Sequence, residues 1–276
     1  MTIKAGKDTY EKLDGWHHTV RGYRLPGMVS EVAVDSQDNL YAFCRPEQGE
    51  PPMLVFDRDG TFVMTWGAGI FTEPHGLYID ADDMVYVTDR EDHTVRKFTK
   101  DGTLLMTLGT AHQKGAPGMP FNMPTKAVVS PAGDIFVADG YGQQRVHRFS
   151  PAGELLHSWG EKGSEPGQFL LPHGIWVDDR GRVLVADRLN HRVSVFDMDG
   201  NYLEAWGVQN PNDIYIRDNI VYVTEHPVAI FSLDGERIGG FGDKGTHALC
   251  VDSQGCIYFV SGHTAEEATL EKYARR

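Results

Sequence analysis

Three histidines stand at one repeated place in the chain: His75 in EPHGLYID, His173 in LPHGIWVD and His247 in GTHALCVD. Neutral imidazoles are ligands for divalent metals. A set of three that leaves a coordination position open is the donor set with which zinc polarises a substrate oxygen or lowers the pKa of a bound water. Iron and manganese sites contain a carboxylate more often. Zinc is therefore the first expectation, with another divalent metal as the alternative. Any one of these histidines, taken alone, reads as a polar residue bonded to water, so the case rests on their placement.

That placement comes from an internal repeat, the feature to seek before any local assignment. Aligned on the aspartate that ends YID, the chain shows VSEVAVDSQDNLYAF, PHGLYIDADDMVYVT, PTKAVVSPAGDIFVA, PHGIWVDDRGRVLVA, PNDIYIRDNIVYVT and THALCVDSQGCIYFV. Within each unit, alternating apolar runs on either side of a turn predict two strands. A third run follows (TVRKF, RVHRF, RVSVF), then Asp-Gly or Ala-Gly as a hairpin turn, then a fourth run ending in Trp-Gly, Leu-Gly or Phe-Gly. Four antiparallel strands repeated six times predict an all-β fold, a six-bladed β-propeller, spanning 1–276 as a single domain. The sixth unit ends at ATLEKYARR without a fourth strand, so part of residues 8–18, within an N-terminal segment 1–24 that includes Trp16, is expected to close the ring. Closure removes exposed sheet edges.

Five residues before the aligned aspartate, the six units carry Ser30, His75, Thr125, His173, Asn212 and His247. Histidine thus alternates with small polar residues. In a six-fold ring, three alternate blades would aim their histidines at one axis from three directions. The short, repetitive turns lie at one end of the blades. RPEQGEPP at 45–52, GTAHQKGAPGMP at 109–120 and GEKGSEPGQ at 160–168 lie at the other, where variable loops on a rigid scaffold carry function.

The same end holds Arg45, Arg90 and Arg188 at matching positions of the first, second and fourth units, Tyr141 one residue further along in the third, and His226 and His263 near the equivalent places in the last two. Guanidinium groups bind carboxylates bidentately, which points to a small carboxylate-bearing substrate. Arg90 and Arg188 equally suit ion pairs with Asp89 and Asp187. Tyr141 is open to either a structural or a chemical reading.

The net charge of −13 argues against nucleic acid and against an anionic membrane surface as partners. The opening MTIKAGKDTYEKLDGW lacks the apolar run of a signal peptide, and no stretch approaches the ~20 apolar residues that span a bilayer. Cys44, Cys250 and Cys256 are too few for a disulfide framework and lack zinc spacing, although Cys250 and Cys256 flank a hairpin turn. A cytoplasmic location with reduced thiols is the resulting expectation.

The repeat resembles the NHL repeat, and LPHGIWVDDRGRVLVADRLNHRVSVFDMDGNYLEAWG matches that pattern nearly throughout. That resemblance implies the propeller and little about function, since such propellers serve as binding scaffolds and as enzymes. Taken with LPGMVSEVAVDS, EPHGLYID, DGYGQQRVHRFSP and FLLPHGIWVD, the three histidines, the tyrosine and the arginines are similar to the catalytic domain of peptidyl-α-hydroxyglycine α-amidating lyase. This second resemblance implies a zinc-dependent carbon–nitrogen lyase that splits an N-substituted α-hydroxyglycine into an amide and glyoxylate. It implies His75, His173 and His247 as zinc ligands and Tyr141 as the base. Arg45 and Arg188 would hold the carboxylate and stabilise the phenolate, with Arg90 a further substrate contact.

Two departures accompany it. Ala248 follows His247 where the family has an aspartate for a structural calcium, which makes calcium doubtful, and Asn122 and Gly142 stand where the family has a disulfide. The competing expectations are a non-catalytic NHL propeller that binds a protein or small ligand, and a calcium-dependent propeller lactonase. The lactonase would need carboxylates and asparagines at the axis, where Asn212 and Asp213 are the available pair.

Overall fold

A computed structural model describes residues 2–5, 8–17, 19–46, 49–225, 227–242, 245–261 and 269–276. His226 and His263 lie outside the described residues. The chain is an all-β, six-bladed β-propeller, each blade an antiparallel sheet and the first five blades built in chain order.

The aligned aspartate, present in four of the six units, makes the first hairpin. Asp35 accepts the backbone N–H of Gln37 and Asn39, Asp80 those of Asp82 and Met84, Asp178 those of Arg180 and Arg182, and Asp252 those of Gln254 and Cys256. A side-chain acceptor that satisfies two turn donors fixes the turn and hence the register of both strands. In the third blade the Ser130 hydroxyl takes this part, accepting the Asp134 N–H. The hairpin between the third and fourth strands relies on glycine at positive φ, as at Gly200 (φ 81°), whose Cα lies under the Trp159 ring so closely that an added methyl would come within 2.7 Å of it. The Trp-Gly and Asp-Gly signatures are thus two halves of one contact.

The chain divides into two units. One, His75–Ile214, holds the second, third and fourth blades, beginning with the strands Pro74–Ile79, Lys126–Val129 and Pro172–Val177. Its cores are layers of β-branched and aromatic residues such as Val128, Phe136, Phe169, Ile175 and Phe196. Alternation along each strand sends these side chains to one face.

The other, Met1–Pro74 with Tyr215–Arg276, holds the first, fifth and sixth blades. Here the expected closing strand is found: Asp8–Lys12 pairs with Thr269–Arg275, Tyr10 opposite Arg275 and Lys12 opposite Tyr273. Two details differ from expectation. Thr2–Ala5 adds a fifth strand outside it, and Trp16 lies beyond the closing strand, in a bridge to Val20. Trp16 still performs the blade's tryptophan contact, since an added methyl on Gly60 would meet its ring at 2.9 Å.

Candidate functional site

In the unit His75–Ile214, His75 and His173 sit at the start of the innermost strands of their blades, and both are buried. Pairing across the fourth blade places Pro172 opposite Asp187 and Gly174 opposite Ala186, so His173 is the extra residue of a β-bulge. A bulge bends the strand and re-aims one side chain. The glycine after each histidine has a matching reason. A methyl on Gly76 would lie 2.4 Å from the Thr125 carbonyl oxygen, and one on Gly174 would lie 2.6 Å from Asp213 Cα. Glycine therefore lets Thr125 and the pair Asn212–Asp213 approach the histidines.

That approach sets the chemistry of the rings. His75 Nδ1 is 2.8 Å from the Thr125 carbonyl and His173 Nδ1 is 2.7 Å from the Asn212 carbonyl. A carbonyl oxygen only accepts, so both Nδ1 atoms carry the proton and both Nε2 atoms present lone pairs. The two Nε2 atoms face one oxygen: the Tyr141 hydroxyl lies 3.3 Å from that of His75 and 3.0 Å from that of His173. A phenol has one proton to donate. Two imidazole nitrogens and one phenol oxygen thus lie within reach of one another. Such a donor set fits a metal ion, with backbone carbonyls orienting the ligands from behind.

Tyr141 is half-buried, and the Arg90 guanidinium lies 5.0 Å from its ring centroid. Arg90 pairs with the exposed Glu91 at 3.1 Å. Of the two readings open for Arg188, the ion pair with Asp187 is not formed. That carboxylate accepts from Leu170 N, Leu171 N and Asn190 Nδ2, and its ion pair is with Arg192, which stands directly opposite it in the sheet. Arg188 instead opens a short 3₁₀ turn, half-buried, with no ion pair among the described residues.

In the other unit, His247 is buried and is also the bulged residue of its strand, with Thr246 opposite Ser261 and Ala248 opposite Val260. Its Nδ1 lies 2.7 Å from the Ser30 carbonyl, repeating the arrangement of the other two histidines. Ser30 is itself at a bulge. Arg45 is engaged structurally: its Nε donates to the Pro74 carbonyl at 2.8 Å and its Nη1 lies 3.1 Å from Glu73. His75, His173 and His247 each offer one imidazole nitrogen of the kind a metal ion takes.

Asn212 and Asp213 do not provide a calcium site of the lactonase kind. The Lys126 ammonium lies 2.5 Å from Asp213 Oδ2, both side chains buried, so a cation of the chain's own occupies that carboxylate. All three cysteines are free and buried, and Cys250 stands opposite Tyr258 rather than beside Cys256. No helix among the described residues is long and apolar enough to cross a membrane.

Sequence reasoning missed the residues that hold the Tyr141 segment. Asn122 Nδ2 donates to the Gly142 carbonyl at 2.9 Å and the Asn122 backbone carbonyl accepts the Gly142 N–H at 3.0 Å, so the two residues that stand in place of a disulfide are hydrogen-bonded partners. The signal available was the extra residue in DGYGQQR compared with DRLNHR.

The chain is similar to known proteins in sequence and in fold. The NHL repeat model matches residues 71–98 and 169–196. Human NHL repeat-containing protein 3 is 37% identical over 187 residues, covering 63% of this chain and 54% of that protein. Peptidyl-alpha-hydroxyglycine alpha-amidating lyase 1 of Drosophila melanogaster is 32% identical over 207 residues, covering 70% of this chain and 38% of that protein. The chain thus matches about half or less of each of these relatives. Among solved structures, a gluconolactonase from Xanthomonas campestris superimposes with a TM-score of 0.69 at 16% identity, over 90% of this chain and 86% of that one, a likeness of fold.

Proposed function

We propose that this NHL-repeat propeller, a relative of proteins named peptidyl-alpha-hydroxyglycine alpha-amidating lyase, is a metal-dependent lyase that splits an N-substituted α-hydroxyglycine or a similar hemiaminal into an amide and glyoxylate. The observation that carries the reading is the convergence of two imidazole Nε2 atoms on the Tyr141 hydroxyl, with both Nδ1 protons committed to backbone carbonyls.

His75, His173 and His247 would hold the metal, and the all-imidazole set favours zinc. When bound, the ion supplies Lewis acidity at the substrate hydroxyl. Tyr141, as phenolate, takes the hydroxyl proton. The C–N bond then breaks as the C=O bond forms, and the electron pair leaves on nitrogen. Tyr141 returns its proton there, so one proton moves from oxygen to nitrogen with no other reactant. Arg90 puts a positive charge beside the ring, placed to balance a phenolate. Arg188, uncommitted to Asp187, is the better carboxylate binder of the remaining arginines, and Arg45 adds charge while anchoring the residue before His75. Structural calcium is not part of the proposal.

The buried, free thiols suit a reducing compartment, and we place the reaction in the cytoplasm with a small molecule as substrate. Purified protein should contain one zinc per chain and release glyoxylate from an N-acyl-α-hydroxyglycine. His173→Ala should lose both. Metal-free wild-type protein that remains inactive after zinc is added would favour a non-catalytic binding propeller.

A further inference from the structure

We propose that Gln143 is the positioning residue of Tyr141, holding the phenol in place through a bridge from Asp139 to the 115–123 loop. This rests on Tyr141 acting as the proton acceptor.

Two corresponding segments show how. In the fourth blade, Asn190, three residues after Asp187, donates to Asp187 Oδ2 at 2.6 Å and to the Gly163 carbonyl at 2.9 Å, tying the loop before its strand to the aspartate. In the third blade the run from Asp139 to Phe149 is one residue longer than that from Asp187 to Phe196. The amide that reaches Asp139 Oδ2, again at 2.6 Å, is Gln143, four residues on. Its side chain is longer by one methylene, which spans the added residue. The same amide donates to the Met119 carbonyl at 2.8 Å and accepts the Gly118 N–H at 3.2 Å.

The inserted residue lies between two glycines that the packing requires. A methyl on Gly140 would lie 2.1 Å from the Pro172 carbonyl, just before His173, and one on Gly142 would lie 2.3 Å from Asn122 Cγ. Tyr141 itself donates its N–H to the Met123 carbonyl at 3.4 Å. Residues 140–143 are therefore held against the strand that carries His173 and against the 115–123 loop. Gln143 is the member whose length is matched to the insertion. Its hydrogen bonds fix where the phenol oxygen falls relative to the two Nε2 atoms, and a misplacement of about 1 Å in such an arrangement costs on the order of 100-fold in rate.

The test uses the full chain labelled with 3-fluorotyrosine, with the Tyr141 fluorine resonance identified by its loss in Tyr141→Phe. Gln143→Ala and Gln143→Asn should shift or broaden that resonance, keep metal content, and lower kcat on an N-acyl-α-hydroxyglycine about 10- to 100-fold with KM little changed. Where Gln143→Ala fails to fold, Gln143→Met, of similar length and without hydrogen bonds, is judged on the same readouts. A folded Gln143 variant with wild-type resonance and wild-type kcat overturns the proposal. If the wild type releases no glyoxylate, the lyase reading fails, and the resonance alone still decides whether Gln143 positions Tyr141.

Discussion

The Tyr141 hydroxyl lies 3.0 Å from His173 Nε2, and the opposite nitrogen of that ring is fixed by a 2.7 Å contact with the Asn212 carbonyl. In the proposed reaction the groups that would hold the metal and the group that would accept the proton are therefore in direct contact. Imidazoles whose tautomer is set by backbone would hold the ion, and the phenol between them would move the proton.

Tyr141→Phe separates the two. It removes the hydroxyl and leaves the ring packed against Arg90 and both histidines. Glyoxylate release should fall by about 10²- to 10⁴-fold, the range for loss of one general base, while metal content stays at one per chain. Unchanged turnover would remove Tyr141 as the base. Loss of metal together with activity would assign it to the coordination sphere.

Gly174→Ala probes the close approach behind His173. The added methyl would lie 2.6 Å from Asp213 Cα and 2.7 Å from the Asn212 carbonyl, both backbone atoms that cannot rotate away. Overpacking of this kind destabilises by about 1–3 kcal/mol. Because the carbonyl pushed aside is the one that orients His173, metal affinity should fall with stability. Thermal melting and a competitive zinc titration measure both; a variant that melts earlier but binds zinc as the wild type does would show that the orienting contact is dispensable.

How far the site could be read in advance follows from these same residues. The alternation of His75, His173 and His247 with Ser30, Thr125 and Asn212 was legible because it needs only a count of repeats. The glycine after His75 and His173 was legible as framework. The bulges at His173 and His247 were not, because a bulge depends on which partner residue each strand meets. Arg188 was open between two roles for a related reason: Asp187 takes as its partner Arg192, opposite it across the sheet, and the adjacent residue in sequence points elsewhere. The fifth outer strand at Thr2–Ala5 also carried no repeat signature by which to expect it.

The buried pair Lys126 and Asp213 separates a structural charge from a ligand. Removing one member leaves the other charge buried, which costs about 3–5 kcal/mol. Asp213→Asn and Lys126→Met should each lower the urea midpoint strongly. The double variant Lys126→Met with Asp213→Leu should recover much of the loss, and none of the three should make activity depend on calcium. A calcium requirement lost in Asp213→Asn would revive the lactonase reading.

Closure of the sixth blade yields the last prediction. Asp8–Lys12 is hydrogen-bonded to Thr269–Arg275 and reinforced by Lys12–Glu271 and Asp8–Arg275 ion pairs, each at 2.7 Å. The two ion pairs are partly exposed and contribute little by themselves. The larger effect comes from Tyr10, only 3% exposed, which packs with Tyr222 and Tyr273 in the core of this unit. Tyr10→Ala should destabilise by about 3 kcal/mol, as truncation of a buried aromatic does. Deleting the first twelve residues would do this and also leave Thr269–Arg275 as an unpaired edge, the usual template for strand-to-strand association. The deletion variant should melt at lower temperature and scatter light in a concentration-dependent way, whereas Tyr10→Ala should melt early and scatter light as the wild type does. A deletion variant that scatters no more light than the wild type would mean that the edge is protected by something other than the closing strand.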